Sequence, residues 1–179
     1  LENGQAVINV GALTANVENA GTVTAGTGTL TFNGAVAGNG GTFSGDSLTF
    51  SGITSGTATV EAADVIYNGT DSQSVFGGTY GTLTLDGGLK TVTGKTEVTG
   101  VFTNNSGVQV DGSLTLNGLA GAGEYLVSQN GMLVFNGDGT VAGSVTNSGT
   151  VEVNALVSFG GGLSNLATGT LNLNATGLN

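Results

Sequence analysis

The stretch TLTFNG at residues 29–34 alternates apolar and polar side chains and ends in Asn33-Gly34. In an extended strand, Leu30 and Phe32 point to one face and the threonines to the other. Asn-Gly then favours an immediate tight turn. The phrase returns as SLTFSG at 47–52, TLTLDG at 82–87, SLTLNG at 113–118 and MLVFNG at 132–137. It therefore predicts a short strand followed by a turn, used repeatedly along one chain.

The copies are regularly spaced. Intervals are 17 to 20 residues, with one of 31, between the first apolar residues Leu30, Leu48, Val65, Leu83, Leu114, Leu133, Val151 and Leu171. Weaker copies lie within the long interval, at 96–100, and upstream, at 8–10. Such a period indicates a repeat architecture whose units bury their apolar faces only by stacking. We predict an all-β parallel β-helix (β-solenoid) of about nine coils of 18–20 residues, roughly 40 Å long at ~4.8 Å per coil.

Stacking would align equivalent residues of successive coils. One inward ladder is expected to contain Leu30, Leu48, Val65 and Leu83, and the next Phe32, Phe50, Tyr67 and Leu85. Leu85 and Leu116 are expected to be buried on one ladder. Second strands between the main phrases are marked by Val23, Phe43, Val75, Val92, Val108 and Val145. Helical spacing at residues 58–66 is the weaker alternative, because Thr-Ala-Thr-Val is poor helix material. The stretches NAGTV (19–23), NNSGV (104–108) and NSGTV (147–151) predict turns whose asparagines can also form stacked ladders.

Composition excludes several classes of protein. Glycine accounts for 35 of 179 residues, 38% are hydrophobic and 8% are charged, with no Pro, Cys, Trp, His or Arg. Disorder needs low hydrophobicity, and collagen needs Gly at every third position with Pro. A net charge of −10, with Lys90 and Lys95 as the only bases, excludes nucleic-acid binding and docking on anionic membranes. No apolar run approaches the ~20 residues of a membrane helix.

Candidates for chemistry are sparse. Without His or Cys there is no nucleophilic triad and no thiolate metal site. The acids are scattered at Glu2, Glu18, Asp46, Glu61, Asp64, Asp71, Asp86, Glu97, Asp111, Glu124, Asp138 and Glu152. Glu61 and Asp64 form the one tight pair, a weak candidate for a catalytic or metal site beside a plain role in solubility. We therefore predict no enzyme and no catalytic, cofactor-binding or metal residues.

Four minor motifs can be interpreted either as ordinary structural features or as functional sites. Residues 38–48 and 136–140 faintly match a Gly/Asp repeat that binds Ca²⁺, but without its tandem copies. FGGGL (159–163) lacks the Lys and the helix of a phosphate loop. Lys90 and Lys95 read as an exposed pair flanking a turn, with an isopeptide crosslink as the alternative. Asn68-Gly-Thr70, Asn104-Asn-Ser106 and Asn174-Ala-Thr176 fit the N-glycan acceptor pattern, which is weak in a chain so rich in Asn and Thr.

The sequence carries two resemblances to known families. VTNSGTVEV (145–153) and TGTLNLNATG (168–177) resemble the repetitive passenger regions of bacterial autotransporter and filamentous-haemagglutinin-like adhesins. A repeat of very large secreted bacterial surface proteins is similar to Tyr67-Asn68-Gly69, Gln73, Val75, Tyr80, LTLDGGLKTVTG (83–94) and VTG (98–100). The resemblance implies a right-handed parallel β-helix displayed outside a bacterial cell. It implies no functional residue.

These observations favour a non-catalytic extracellular structural module, a rod or fibre subunit of an adhesin or surface filament. The alternative is a glycan-binding or carbohydrate-active β-helix module. We expect one solenoid domain over residues 1–179, uncapped at both ends, since AVINV (6–10) and GTLNLNATG (169–177) read as ordinary coil phrases. Expected partners are further copies stacked end to end, adjoining coils of a longer chain, or surface glycans. The chain begins at Leu1, so we expect a processed or partial chain, secreted or on the cell surface, with any signal peptide removed.

Overall fold

The computed structural model describes residues 5–8 and 11–175, and the expectations for residues 9–10 and 176–177 lie outside the described residues. The described chain is all-β, with 23 strands and no helix. The early strands are β1 (Gln5–Ile8), β2 (Gly11–Leu13), β3 (Val17–Asn19), β4 (Thr22–Ala25), β5 (Thr29–Phe32), β6 (Val36–Phe50), β7 (Thr54–Tyr67), β8 (Gln73–Val75), β9 (Gly77–Leu85) and β10 (Lys90–Val92). The later strands are β11 (Lys95–Val98), β12 (Phe102–Asn104), β13 (Val108–Val110), β14 (Ser113–Leu116), β15 (Leu119–Gly121), β16 (Tyr125–Val127), β17 (Met132–Phe135), β18 (Gly139–Val141), β19 (Val145–Asn147), β20 (Thr150–Val153), β21 (Val157–Phe159), β22 (Leu163–Asn165) and β23 (Thr170–Leu173).

The strands stack as parallel rungs on three faces, which we call A, B and C. Face A contains, in order, β1, β4, 42–45 of β6, 59–62 of β7, 77–80 of β9, β11, β14, β17, β20 and β23. Face B contains β2, β5, 47–50 of β6, 64–67 of β7, 82–85 of β9, β12 and β15, and then the separate pair β18 and β21. Face C contains β3, 36–39 of β6 and 54–57 of β7, and then the separate sheet β8, β10, β13, β16, β19 and β22.

This arrangement confirms the predicted β-solenoid of about nine coils. Along face A the step is 17 residues from Gln5 to Thr22 and 20 from Thr22 to Thr42, slightly more variable than predicted. Residues 58–66 lie within β7, so the strand interpretation is confirmed and the helix is wrong. The six predicted second strands also exist, as parts of β4, β6, β8, β10, β13 and β19. Among the described residues, no helix is long and apolar enough to span a membrane.

The first two predicted ladders form on face B. Leu30, Leu48, Val65 and Leu83 pair in register, and so do Phe32, Phe50, Tyr67 and Leu85. All eight side chains are buried. The alternation in the repeated phrase thus gives the inward positions directly, because neighbouring residues of a strand point to opposite faces.

The prediction that Leu85 and Leu116 share one ladder is wrong. Both side chains are buried. However, Leu85 lies on face B, where it pairs with Asn104, whereas Leu116 lies on face A, where it pairs with Val98. The repeated phrase therefore occupies different faces in the two halves of the molecule.

The change of face occurs within the 31-residue interval. Leu83 is followed on face B by Phe102, one coil later. Leu114 instead follows Thr96 on face A. The short step from Leu83 to Thr96 carries the chain through face C to face A of the next coil. A full coil then separates Thr96 from Leu114, which explains why the weak copy at 96–100 splits the interval unequally.

Aromatic rings fill the core of the early coils. Phe32 stacks on Phe50 with ring centroids 5.1 Å apart, and Phe50 stacks on Tyr67 at 4.8 Å. Across the core, Phe43 stacks on Phe76 at 5.8 Å. Stacked or edge-on aromatic pairs contribute about 0.5–1.5 kcal/mol beyond their buried area. These five rings therefore form a dense, specific centre for the early coils.

The later coils have fewer aromatic contacts. Phe135 meets Tyr125 edge-on at 6.3 Å and Phe159 edge-on at 5.8 Å. Phe159 is half-buried, whereas the other nine Phe and Tyr side chains of the chain are buried. Leucine and valine supply most of the remaining core here, including Leu114 and Leu133.

The three NAGTV-like stretches form the predicted asparagine turns. The Oδ1 atoms of Asn19, Asn104 and Asn147 accept the N–H of the residue two positions later, at 3.1, 3.2 and 3.0 Å. Asn147 also donates from Nδ2 to Asn165 Oδ1 of the next coil, at 2.7 Å. These buried amides therefore close a turn, and Asn147 links two coils.

A second asparagine ladder is exposed at the corner after face A. Asn154 Nδ2 donates to Asn136 Oδ1 at 2.9 Å, and Asn174 Nδ2 donates to Asn154 Oδ1 at 2.9 Å. Of the three turn asparagines for which a ladder was expected, Asn147 alone bonds to another asparagine, whereas Asn19 and Asn104 donate to the backbone carbonyls of Thr42 and Glu124. The exposed ladder is formed by other asparagines.

Candidate functional site

The one tight acidic pair is divided between two faces. Glu61 points outward from face A, in register with Ser44 and Thr79. Asp64 stands at the start of the face B rung, where its Oδ1 accepts the Thr82 hydroxyl at 2.7 Å. Both carboxylates are exposed, and the described residues contain no group of three acids that could hold a metal ion. Within the described part of the chain, no third acidic ligand therefore joins this pair.

The two stretches that resemble a Ca²⁺ repeat, and the glycine-rich FGGGL, have structural roles in the coils. Residues 38–48, one faint match to a Ca²⁺ repeat, run inside strand β6. In the other match, Asp138 Oδ1 accepts the backbone N–H of Leu156 in the next coil at 2.8 Å. FGGGL (159–163) connects β21 to β22, with Gly162 at a φ of 89° that favours glycine. In each case the sequence makes a strand or a turn.

A buried polar cluster lies at the corner between faces B and C. Lys90 is fully buried, and its Nζ donates to Gly69 O at 3.0 Å and to Gly88 O at 2.7 Å. Gln73, one rung earlier, accepts the Gly69 N–H at 2.9 Å and donates to Phe50 O at 2.9 Å. Burial lowers the pKa of Lys90, while the nearby Asp86 carboxylate acts in the opposite direction. The cluster thus ties three successive coils together.

This cluster corrects the prediction for the two lysines. Lys95 is exposed, as expected, but Lys90 is buried, so they are not an exposed pair. The contacts of Lys90 Nζ are backbone carbonyl oxygens, which cannot form the isopeptide bond considered from the sequence.

Two buried tyrosines close a second network. Tyr67 Oη accepts the Phe76 N–H at 3.2 Å, and the Tyr80 hydroxyl donates to Phe76 O at 2.5 Å. The two phenol oxygens are 3.5 Å apart. Burial raises the pKa of both groups, so both are neutral over the physiological range. Phe76 lies between β8 and β9. The two phenols supply hydrogen bonds to its backbone N–H and carbonyl, which a strand residue would obtain from a neighbouring strand.

A shallow groove of about 250 Å³ opens on face C. Its lining includes Leu89 and Leu126, which are 43% and 44% exposed, together with Gly107 and Tyr125. Burial raises the pKa of Tyr125 to about 12, offset in part by a hydrogen bond with Asn104. The groove is mostly apolar, with Glu124 as the single carboxylate among its lining residues.

Sequence reasoning missed the burial of Gln73 and Lys90, two polar residues of face C. Gln73 and Lys90 stand two positions before Val75 and Val92, which mark predicted strands. Strict alternation would place both on the inward face, but glutamine and lysine are polar residues that are expected at the surface by default. The alternation of inward and outward residues along each strand was the signal that could have revealed their burial.

No protein-family model matches the sequence, and neither a curated protein nor a solved structure is significantly similar to the chain.

Proposed function

We propose that this chain is a non-catalytic structural module, a rod or fibre subunit of an adhesin or filament displayed outside a bacterial cell. The observation that carries the proposal is face A, where ten parallel strands hydrogen-bond in one uninterrupted series from β1 to β23. A solenoid of this kind converts sequence into length, and each coil supports its neighbours. The extracellular setting rests on the resemblance of residues 145–153 and 168–177 to adhesin passenger regions.

The surface chemistry supports a structural role over the alternatives. Sugar-binding faces commonly use exposed aromatic rings, and here nine of the ten Phe and Tyr side chains are buried and Phe159 is half-buried. A glycosidase needs two carboxylates facing one substrate bond, whereas Glu61 and Asp64 point from different faces.

End-to-end association is part of the proposal. On β23, Leu173 is 56% exposed and Leu171 is half-buried, although equivalent residues of earlier coils are buried. An open strand edge with apolar side chains recruits another strand. A further copy, or adjoining coils of a longer chain, would supply it. Association of this kind is heterologous and does not close, so it would produce fibres.

Electron microscopy of the purified protein tests this proposal, with light scattering across concentrations. We expect fibres in the parent and short rods when β23 carries Leu171→Lys together with Asn172→Pro, because the edge then loses a donor and gains a charge. A parent that stays monomeric at high concentration contradicts the self-stacking part.

The absence of catalysis is tested separately. We expect no new reducing ends from a panel of neutral and acidic polysaccharides. Turnover that Glu61→Gln abolishes would overturn the structural assignment and favour the carbohydrate-active alternative.

A further inference from the structure

Three asparagines fit the N-glycan acceptor pattern, and the fold separates them. Attachment of a glycan requires that the side-chain amide be accessible and that the Ser or Thr two positions later be present beside it. Asn68, Asn104 and Asn174 meet the sequence requirement equally. Their surroundings differ in burial and in hydrogen bonding.

The side chain of Asn104 is inaccessible to a glycosyltransferase. Its side chain is 1% exposed. Its Oδ1 accepts the Ser106 N–H at 3.2 Å, and its Nδ2 donates to Glu124 O of the next coil at 3.3 Å. A glycan on Nδ2 would displace this buried contact, so the folded protein cannot accept one there.

Asn174 is exposed but already engaged. Its Nδ2 donates to Asn154 Oδ1 at 2.9 Å as part of the exposed asparagine ladder. Transfer to this nitrogen would break that rung. The threonine of its acceptor pattern, Thr176, lies outside the described residues.

Asn68 is accessible, together with its threonine. It begins the connection 68–72 between β7 and β8, in which Asn68 and Thr70 are exposed and Gly69 between them is buried. Among the described residues the Asn68 carboxamide has no hydrogen-bond partner. A modification here would therefore break no side-chain contact.

The buried cluster below presents this connection in a defined shape. Gly69 donates its N–H to Gln73 Oε1 at 2.9 Å, and its carbonyl oxygen accepts Lys90 Nζ at 3.0 Å. A Cβ at Gly69 would lie 2.8 Å from Gln73 Cδ, so any larger residue there would force the Gln73 carboxamide to shift. These two hydrogen bonds hold the Gly69 backbone on the buried side, and the neighbouring Asn68 and Thr70 face outward.

From these contacts we infer that Asn68 is an N-glycan attachment site, and that the fold excludes Asn104. The sugar donor is an activated glycosyl diphosphate, such as a nucleotide-linked hexose. A bond forms between Asn68 Nδ2 and the anomeric carbon of the sugar, and the bond from that carbon to the diphosphate oxygen breaks. The diphosphate leaves with the electron pair, and the proton lost from Nδ2 passes to the transferase or to water. The inference is independent of the rod function proposed above.

The test uses the folded protein, a soluble N-glycosyltransferase and a nucleotide-activated hexose. The enzyme preparation is first checked on a synthetic peptide of residues 64–74. We expect the intact mass to increase by one hexose and peptide mapping to locate it on Asn68. Asn68→Gln should abolish the gain and keep the thermal midpoint, because its side chain has no partner. Asn174→Gln should leave the gain unchanged.

Two outcomes overturn the inference. One is a folded protein that stays unmodified by an enzyme that accepts the peptide. The other is modification of Asn104 or Asn174 in preference to Asn68. Denaturing the protein before the reaction should make Asn104 reactive, which would assign its protection to the fold.

Discussion

Residues 22–92 and residues 95–173 use the same phrase on different faces. In the first region the phrase leucines Leu30 and Leu48 lie on face B; in the second region Leu114 and Leu133 lie on face A. The phrase thus specifies alternation and a turn, but not a face. The face is decided by the register in which the coils stack, as the pairing of Leu83 with Phe102 and of Leu114 with Thr96 shows.

The two regions also fill their cores differently. The first contains stacked rings, with Phe50 between Phe32 and Tyr67. The second relies on aliphatic side chains and edge-on ring contacts around Phe135. The coils stack in the same way over both cores, so the architecture requires inward apolar residues more than any one type of packing.

The largest expected effect comes from a charge in either core. Leu85→Asp in the first region and Leu116→Asp in the second should each lower the free energy of unfolding by at least about 3 kcal/mol, because both place an unpaired carboxylate in a buried site. Chemical denaturation measures both. Ile66→Asp, at an outward and 36% exposed position of face B, is the control and should cost only about 1 kcal/mol. If Leu116→Asp behaves like the control, the assignment of the phrase to the inward side of face A is wrong.

Removal of one ring should distinguish the two cores. Phe50→Ala and Phe135→Ala each delete a fully buried ring, at a cost of about 3–5 kcal/mol. We expect the Phe50 variant to lose about 1 kcal/mol more, because it also loses two stacked neighbours. Urea unfolding of the pair provides the comparison. Equal losses would mean that stacking gives the first region no advantage.

Alkaline pH should weaken the second region through Tyr125. Its folded pKa is about 12, above the usual 10.0, so its contribution is complete below pH 10.0 and is lost as pH rises through about 12. The full loss approaches about 2.7 kcal/mol. Tyr125→Phe should reduce the decrease in unfolding free energy over this range without abolishing it, because Tyr67 and Tyr80 also titrate late. An unchanged pH profile would show that Tyr125 ionises freely.

A stabilising change is expected at the junction of the regions. Thr96 lies on face A between Gly78 and Leu114, and its hydroxyl is the one buried side-chain polar atom without a partner among the described residues. Thr96→Val keeps the shape and removes the unsatisfied group, so stability should rise by about 1 kcal/mol. Thr103→Val, on the outward side of face B, is the control. A loss of stability in Thr96→Val would indicate that the hydroxyl has a partner such as a buried water.

The smallest effect is expected in the exposed asparagine ladder of the second region. Asn154→Ala removes the hydrogen bonds to Asn136 and Asn174. Both are exposed, so the loss should be about 0.5 kcal/mol or less. Asn68→Ala, an exposed corner asparagine of the first region, should cost less still. Thermal unfolding resolves the pair, and a loss above 1.5 kcal/mol would make the ladder a main support of the later coils.

The sequence was most informative where period and alternation agree. The face B ladder from Leu30 to Leu83 followed from a spacing near 18 and from inward residues two apart. The change of face at Thr96 was not predictable, because the phrase reads the same on either face and only stacking decides. Lys90 was wrongly expected at the surface because it is charged, although it stands two residues before the inward-facing Val92 on the same strand. The exposure of Asn68 and the burial of Asn104 depend on which turn joins which strands, and one acceptor pattern covers both.

The step from Leu83 to Thr96 has a consequence for how such chains are aligned. Matching the phrases of the two regions by similarity superposes Leu83 on Leu114, yet these residues lie on different walls of the solenoid. An alignment that follows the rungs pairs Leu83 with Phe102 and Leu114 with Thr96. Internal homology in this protein should therefore be scored rung by rung. By that measure two closely similar segments, 82–87 and 113–118, do not occupy equivalent positions in the coil.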